Sequence, residues 1–285
     1  MPNVFGARTG IALVALGLLI AANALIGPLA LGVVRFHVSQ TAENQLIGGE
    51  VVSLVVAAPL AVIAGVLWRR SNRLAPSLAL GAALYALYMY VQYVVGPQYE
   101  RYVGNNEYFF PLHLVLIILA WATGLRAWHA LSAMRMPTIA IGTRRLLAAL
   151  LLVLNATFAL AWLSSVLAVL TGPHTSSAWL EYQKDQTLFW LIRMMDLAFV
   201  IPASFLVAVG LLRGVEWATR LAYAFLGFQT LIVSAVAGMA IMMAARADPA
   251  ANPVLLVVTV VLALGLTALY VLLLRRLIPA TVNLT

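Results

Sequence analysis

Glu50 and Asp196 are the only acidic residues set well inside apolar stretches of this sequence. A carboxylate in such a setting normally faces a bundle interior or water, and it marks a path for an ion, a proton or a substrate. Two carboxylates at close range do not both ionise readily, so a shared site would hold a proton, a cation or a guanidinium. Arg193 lies three residues before Asp196 and Ser53 three residues after Glu50, each about one helical turn away. An i, i+3 pair of Arg193 and Asp196 would simply neutralise itself. Tyr85, Tyr88, Met89 and Gln92 form a stripe at helical spacing, with Tyr90 and Tyr93 alongside. A buried phenol needs a hydrogen-bond partner, so Tyr88 or Gln92 is expected to reach one of the acids. The expected ligand- or ion-binding set is Glu50, Asp196, Arg193, Ser53, Tyr88 and Gln92. The competing reading is a polar lock in which these groups only satisfy one another.

Other chemistry has less support. The chain has no cysteine, which removes disulfides, thiolate catalysis and iron–sulfur clusters. His37, His113 and His174 fall towards one side with several acids, but no two histidines have ligand spacing on one helix, so neither a metal nor a cofactor is expected. No phosphate-binding glycine loop, nucleophile elbow or HExxH is present. Asn155-Ala-Thr157 matches a glycosylation sequon but falls inside an apolar helix, and Ser234 with Gly238 forms a small-xxx-small step suited to close helix packing.

The elements that must hold these residues are membrane helices. Of the 285 residues, 64% are hydrophobic and only 9% charged, with a mean hydropathy of +1.01; too few polar residues remain to cover a soluble globule, so lipid must be the solvent. Apolar segments long enough to cross roughly 30 Å of hydrocarbon run over 10–34, 45–68, 74–95, 108–125, 146–171, 187–212, 217–245 and 252–274. The net charge of +8 is spread through short loops and not gathered on one face, so it argues for topology and not for nucleic acid. Arg69, Arg70 and Arg73 lie in the second loop, and Arg126, Arg135, Arg144 and Arg145 in or near the fourth. Arg213 and Arg220 flank the sixth, and Arg275 and Arg276 follow the last segment. The odd-numbered loops carry Glu43, Glu100, Glu107, Glu181, Asp185 and Asp248, opposed by only Arg35, Arg101, Lys184 and Arg246. Positive residues stay in the cytoplasm, so both termini are expected there, in the plasma membrane. Counting back from Arg69 and Arg213 at about 1.5 Å per residue puts both acids roughly 25–28 Å above the cytoplasmic face, in the outer third.

The second and sixth segments also resemble each other. Glu50, Pro59, Gly65 and Arg69 are echoed by Asp196, Pro202, Gly210 and Arg213, with nine residues from acid to proline in one case and six in the other. The expected fold is therefore an all-α integral membrane protein with eight transmembrane helices in two tandem four-helix repeats (1–131 and 146–285), joined by a basic linker over 132–145. An even number of helices per unit gives both copies the same orientation, related by an axis along the membrane normal. The same stretches resemble a family of uncharacterised bacterial and archaeal polytopic membrane proteins. Gly49-Glu50 followed by Ser53 and Pro59, then Tyr88, Tyr90, Tyr93 and Gly96, then Asp196, Leu197 and Pro202, match its pattern. Met89, where that family usually has Asn, and the longer polar loop from Pro97 to Glu107 depart from it. The resemblance implies an importance for the Glu50, Asp196 and tyrosine group and brings no activity with it.

Three functions fit. The first is a transporter, channel or ligand-binding protein with an acidic polar pocket in the outer half of the bundle, linked to a proton or small cation. The second is a non-catalytic membrane subunit or assembly factor, working as a homo-oligomer or with a partner subunit. The third is an intramembrane enzyme acting on a lipid or isoprenoid, with the carboxylates as acid and base; the non-enzymatic readings are preferred. The topology is directly testable. A reporter fused after Thr285 should be active only in the form that works in the cytoplasm, and activity of an exported reporter would refute the arginine argument.

Overall fold

Inside a bilayer every backbone N–H and C=O must be satisfied within the protein, which leaves a chain of this hydropathy the α-helix. A computed structural model describes residues 6–278. Its principal helices are α1 (Ala7–Ile26), α2 (Gln40–Arg69), α3 (Ala75–Val95), α4 (Phe110–Ala133), α5 (Ile141–Thr171), a short α6 (Ser177–Lys184), α7 (Gln186–Leu212), α8 (Glu216–Ala245) and α9 (Pro253–Arg275). Among the described residues, all but α6 are long and apolar enough to cross a membrane, which makes the chain a multi-pass membrane protein. Leu18, Val153, Leu160, Phe199, Leu206 and Leu264 are exposed, as lipid-facing side chains should be.

Helices α1, α2, α3 and α4 pack around one another in a closed ring, and α5, α7, α8 and α9 pack in series. The two groups meet where α8 lies along α2 and α3, and where α7 meets α3. The half of α2 nearer the arginines packs on α1, and its other half on α8. Both contacts bring backbone to backbone. A Cβ on Gly65 would lie 2.6 Å from the Gly10 carbonyl oxygen, and one on Gly48 would lie 2.3 Å from that of Gly238. Only glycine permits these approaches, and Gly238 is the residue that the small-xxx-small step singled out.

Between its two contacts α2 widens into a π turn at Ser53–Ala57, closed by the Ala58 N–H on the Ser53 carbonyl. An identical turn interrupts α7 at Asp196–Val200, closed by Ile201 on Asp196. In each case a proline follows at once, Pro59 or Pro202. Proline has no N–H to give and its ring crowds the carbonyl four residues back, so the wider turn relieves both problems and rotates the face that follows.

The first apolar segment stops short of its expected end. α1 ends at Ile26 because Gly27-Pro28 breaks it, and residues 31–34 fold back with N–H groups on the Leu25, Ile26 and Gly27 carbonyls. Residues 27–39 thereby join the loops over 96–109, 172–185 and 246–252 in a hydrogen-bonded cap at one end of the bundle. Gln98 N–H donates to the His37 carbonyl (2.7 Å) and Asn105 N–H to that of Arg35 (2.8 Å). Tyr102 Oη donates to the Lys184 carbonyl (2.8 Å) and Ser39 N–H to Asp185 Oδ1 (2.9 Å).

Asp248 latches the last of these loops to α2. Its carboxylate accepts from Asn44 Nδ2 at 2.8 Å, Thr41 Oγ1 at 3.3 Å and the Ala250 N–H at 2.9 Å. Burial pushes its carboxyl upward, but these bonds and the nearby Lys184 charge outweigh that and hold it below the usual carboxylate range. A group depressed on folding stabilises the fold above its unfolded value and loses that contribution as pH falls through the folded one. The difference in Tm between wild type and Asp248→Asn in detergent should therefore be constant at neutral pH and shrink below pH about 3.9. A difference that does not change over that range would show that the latch carries no charge effect.

Candidate functional site

Glu50 sits one turn before the wide turn of α2 and is fully buried. Its Oε1 accepts one long hydrogen bond, 3.4 Å, from Asn23 Nδ2 of α1. The carboxylate rests against the end of α1, where a Cβ on Gly27 would lie 2.7 Å from both oxygens. The Leu29 amide is also near, yet Oε2 has no partner of hydrogen-bonding geometry among the described residues. No cation pairs with Glu50 either: the ion pairs among the described residues are His37–Glu107, Arg193–Glu181 and Arg220–Glu216.

Asn23 connects Glu50 to His113. With Nδ2 donating to Glu50, its Oδ1 is the acceptor for His113 Nε2 at 3.1 Å, so that nitrogen carries the hydrogen. His113 lies one turn into α4 with no exposed surface, its ring among those of Phe36 (6.1 Å), Tyr90 (6.1 Å) and Tyr93 (6.0 Å). Its Nδ1 is buried without a hydrogen-bond partner. The same residue lines a cavity of about 260 Å³ in the cap, together with Val94, Tyr99, Asn106, Glu107 and Phe110. Glu107 is exposed there, with its Oε2 2.8 Å from His37 Nε2.

Asp196 opens the wide turn of α7 and belongs to a different network. Tyr88 Oη of α3 donates to Oδ1 at 2.8 Å, and Trp162 Nε1 of α5 donates to Oδ2 at 2.7 Å. Arg193 does not pair with it. Its guanidinium is 3.1 Å from Glu181 of α6 through both terminal nitrogens, and Nε donates to Ser165 Oγ at 3.2 Å. The guanidinium lies over Phe189 (3.5 Å) and Trp162 (4.5 Å), so Trp162 serves the cation with its face and Asp196 with its edge.

The expected set therefore separates. Tyr88 meets an acid as foreseen, and Ser53 bonds to Tyr85 Oη at 2.8 Å and not to Glu50. Gln92 donates to the Tyr88 carbonyl at 3.2 Å and reaches neither carboxylate. Together with Met89, Tyr93 and Met239 it lines a small apolar groove of about 70 Å³ between the two helix groups. Glu50 and Asp196 share no hydrogen-bond partner among the described residues. The single acidic pocket is replaced by two networks because α3 shows Tyr85 to α2 and Tyr88 to α7, which puts the two acids on different faces.

The partners that sequence reasoning missed are Asn23, His113, Trp162, Ser165 and Glu181. Asn23 carried a usable signal, a buried amide in an otherwise apolar helix just before Gly-Pro. Glu181 carried none, because α6 is a separate element that folds back onto α7. No group of three or more His, Asp or Glu is arranged to hold a metal among the described residues. No protein-family model matches this chain, and no curated protein or solved structure matches it either.

The Asp196 network predicts a stability effect. Trp162→Phe keeps a ring beneath Arg193 but leaves Oδ2 without a donor, which should lower stability by about 1–3 kcal/mol. Glu50→Gln, with one long bond at stake, should change Tm less. Equal Tm values for wild type and Trp162→Phe would show that the indole bond contributes nothing.

Proposed function

We propose that this is a proton-linked membrane protein, a transporter or ligand-binding protein, in which Glu50 is the group that takes up and releases the proton. One observation carries the reading. Glu50 is fully buried, has a single long hydrogen bond and no cation, and is joined through Asn23 to a histidine that lines a cavity in the cap. An ionised carboxylate in that place would be uncompensated, which is severely unfavourable in a low-dielectric interior. A proton resolves the imbalance without any further ligand. Towards the arginine-rich end α1 packs closely on α2 at Gly10 and Gly65, which favours exchange from the cap side.

In the same reading the cap faces away from the cytoplasm, both termini lie inside, and the two helix groups are repeats. The shift that superposes the wide turns pairs Ser53 with Asp196 and Pro59 with Pro202, and it pairs Glu50 with Arg193 and not with Asp196. Each of that last pair reaches back to a polar residue on the preceding membrane helix, Asn23 for Glu50 and Ser165 for Arg193. The copies would then have diverged to opposite charges at one position. Kinship with the uncharacterised polytopic family belongs to this proposal as well.

A second reading, an accessory subunit, draws on the other networks. Asp196 has a donor on each oxygen, Arg193 has its carboxylate, and Gln229 of α8 donates to Ser204 (2.8 Å) and lies 3.5 Å from Asn155. Groups so satisfied hold helices together and need no ligand. The apolar groove is well short of the roughly 300–1,000 Å³ of a small-molecule site, so the lipid-enzyme reading gains no support from it.

Purified protein in vesicles loaded with a pH-sensitive dye should move protons under an imposed membrane potential, and Glu50→Gln should reduce that movement about 100-fold or more. Asp196→Asn should keep a larger share of it. Equal flux in wild type and Glu50→Gln would assign the protein to the accessory class.

A further inference from the structure

We propose that the cap cavity is the port through which Glu50 exchanges its proton, and that His113 is the relay between them. This inference rests on the reading of Glu50 as the proton-binding group and adds its route. Two buried polar atoms without partners, His113 Nδ1 and Glu50 Oε2, lie on either side of Asn23. Unpaired polar atoms at such depth are rare and call for a function or a transient partner. His113 has no exposed surface of its own, yet it forms part of the cavity wall, and a cavity of about 260 Å³ with Tyr99, Asn106 and Glu107 on its walls has room and hydrogen-bond partners for several waters.

The groups around the route are few. α1 contributes Asn23, α4 His113, and α3 Tyr90 and Tyr93, whose rings lie 6.1 and 6.0 Å from that of His113. At the mouth stand Glu107, His37 and Tyr99. No lysine or arginine forms an ion pair with any of these among the described residues, so a charge on the ring has only Glu50 and Glu107 to answer it. In the transfer Glu50 starts ionised, and a hydronium in the cavity gives a proton to Nδ1, its O–H bond breaking to leave water. The Nε2–H bond then breaks as the Asn23 amide turns aside, and an O–H bond forms on Glu50. One proton crosses and the ring ends neutral with its hydrogen on Nδ1; when the ring turns, cavity water gives a proton to Nε2 and takes the one on Nδ1, which restores the starting tautomer. Asn23 in its bridging position keeps the two ends apart, so it acts as a positioning residue.

The natural absence of cysteine makes the test clean. Val94→Cys places the sole thiol on the cavity wall, and Phe110→Cys does so independently from α4. Infrared spectra in bilayers first identify the Glu50 carboxyl band as the one that disappears in Glu50→Gln. The rate at which this band shifts in D2O is then followed before and after a bulky methanethiosulfonate reagent is attached. Attachment at either cysteine should slow the shift about tenfold or more, and His113→Gln, which can still donate to Asn23, should slow it about 100-fold. Complete labelling with an unchanged rate, or a normal rate in His113→Gln, would overturn the route while leaving Glu50 as the proton site. If no carboxyl band is lost in Glu50→Gln, the underlying reading fails instead.

Discussion

A bilayer core offers no water to a polar group, so each one buried there must find its partner inside the protein. Most of this structure can be read as obedience to that rule. Threonines and serines bond the carbonyl one turn back, as Thr230 does on Leu226 and Ser204 on Val200. Asp196, Arg193 and the Gln229 group are closed by side chains from neighbouring helices. Among the buried acids Glu50 satisfies the rule least, with one long bond for two oxygens. Ser77, Tyr223 and Tyr270 also have buried hydroxyls without a partner among the described residues, but Glu50 is a carboxyl group joined through Asn23 to a histidine that lines a cavity, and that combination distinguishes a candidate site from a structural lock.

The geometry that creates the deficit begins with two breaks in helical regularity. Gly27-Pro28 ends α1 early, and the space left by the missing side chain at Gly27 receives the Glu50 carboxylate. Pro59 enforces the wide turn of α2, which allows one half of the helix to pack on α1 and the other on α8. Without that rotation, the face bearing Gly48 could not meet Gly238 while the face bearing Gly65 met Gly10. Prolines within membrane helices thus serve here to direct two packing faces, and the acid lies beside the joint between them.

The spans were legible in the sequence because hydropathy over some twenty residues is a strong and local signal, and all eight expected spans correspond to helices. Hydropathy alone overruns the end of α1 by several residues, because the apolar run continues past the Gly-Pro that breaks the helix. The roles of the candidate residues were legible only where local spacing sufficed. Tyr88 was placed correctly against an acid. Local spacing offers Arg193 the acid one turn away, whereas a carboxylate twelve residues earlier holds it from α6. The charge pattern places His113 towards one side with His37 and His174, and nothing local in the sequence indicates that it meets Asn23, ninety residues away. Long-range partners depend on helix rotation, which hydropathy does not encode. The turn-to-proline spacing, equal in both helices, would have been a better ruler than the acid-to-proline spacing.

The account depends on Glu50 holding a proton in the bundle, since no basic side chain among the described residues pairs with it there. Carbon-13 NMR of glutamate-labelled protein in bilayers measures this directly, with the Glu50 carboxyl resonance isolated by subtraction of the Glu50→Gln spectrum. The account predicts that this resonance lies in the protonated range at neutral pH. A Glu50 resonance in the ionised range under the same conditions would contradict it, because a carboxylate ionised in that place must have a cationic partner that the proposed mechanism does not contain.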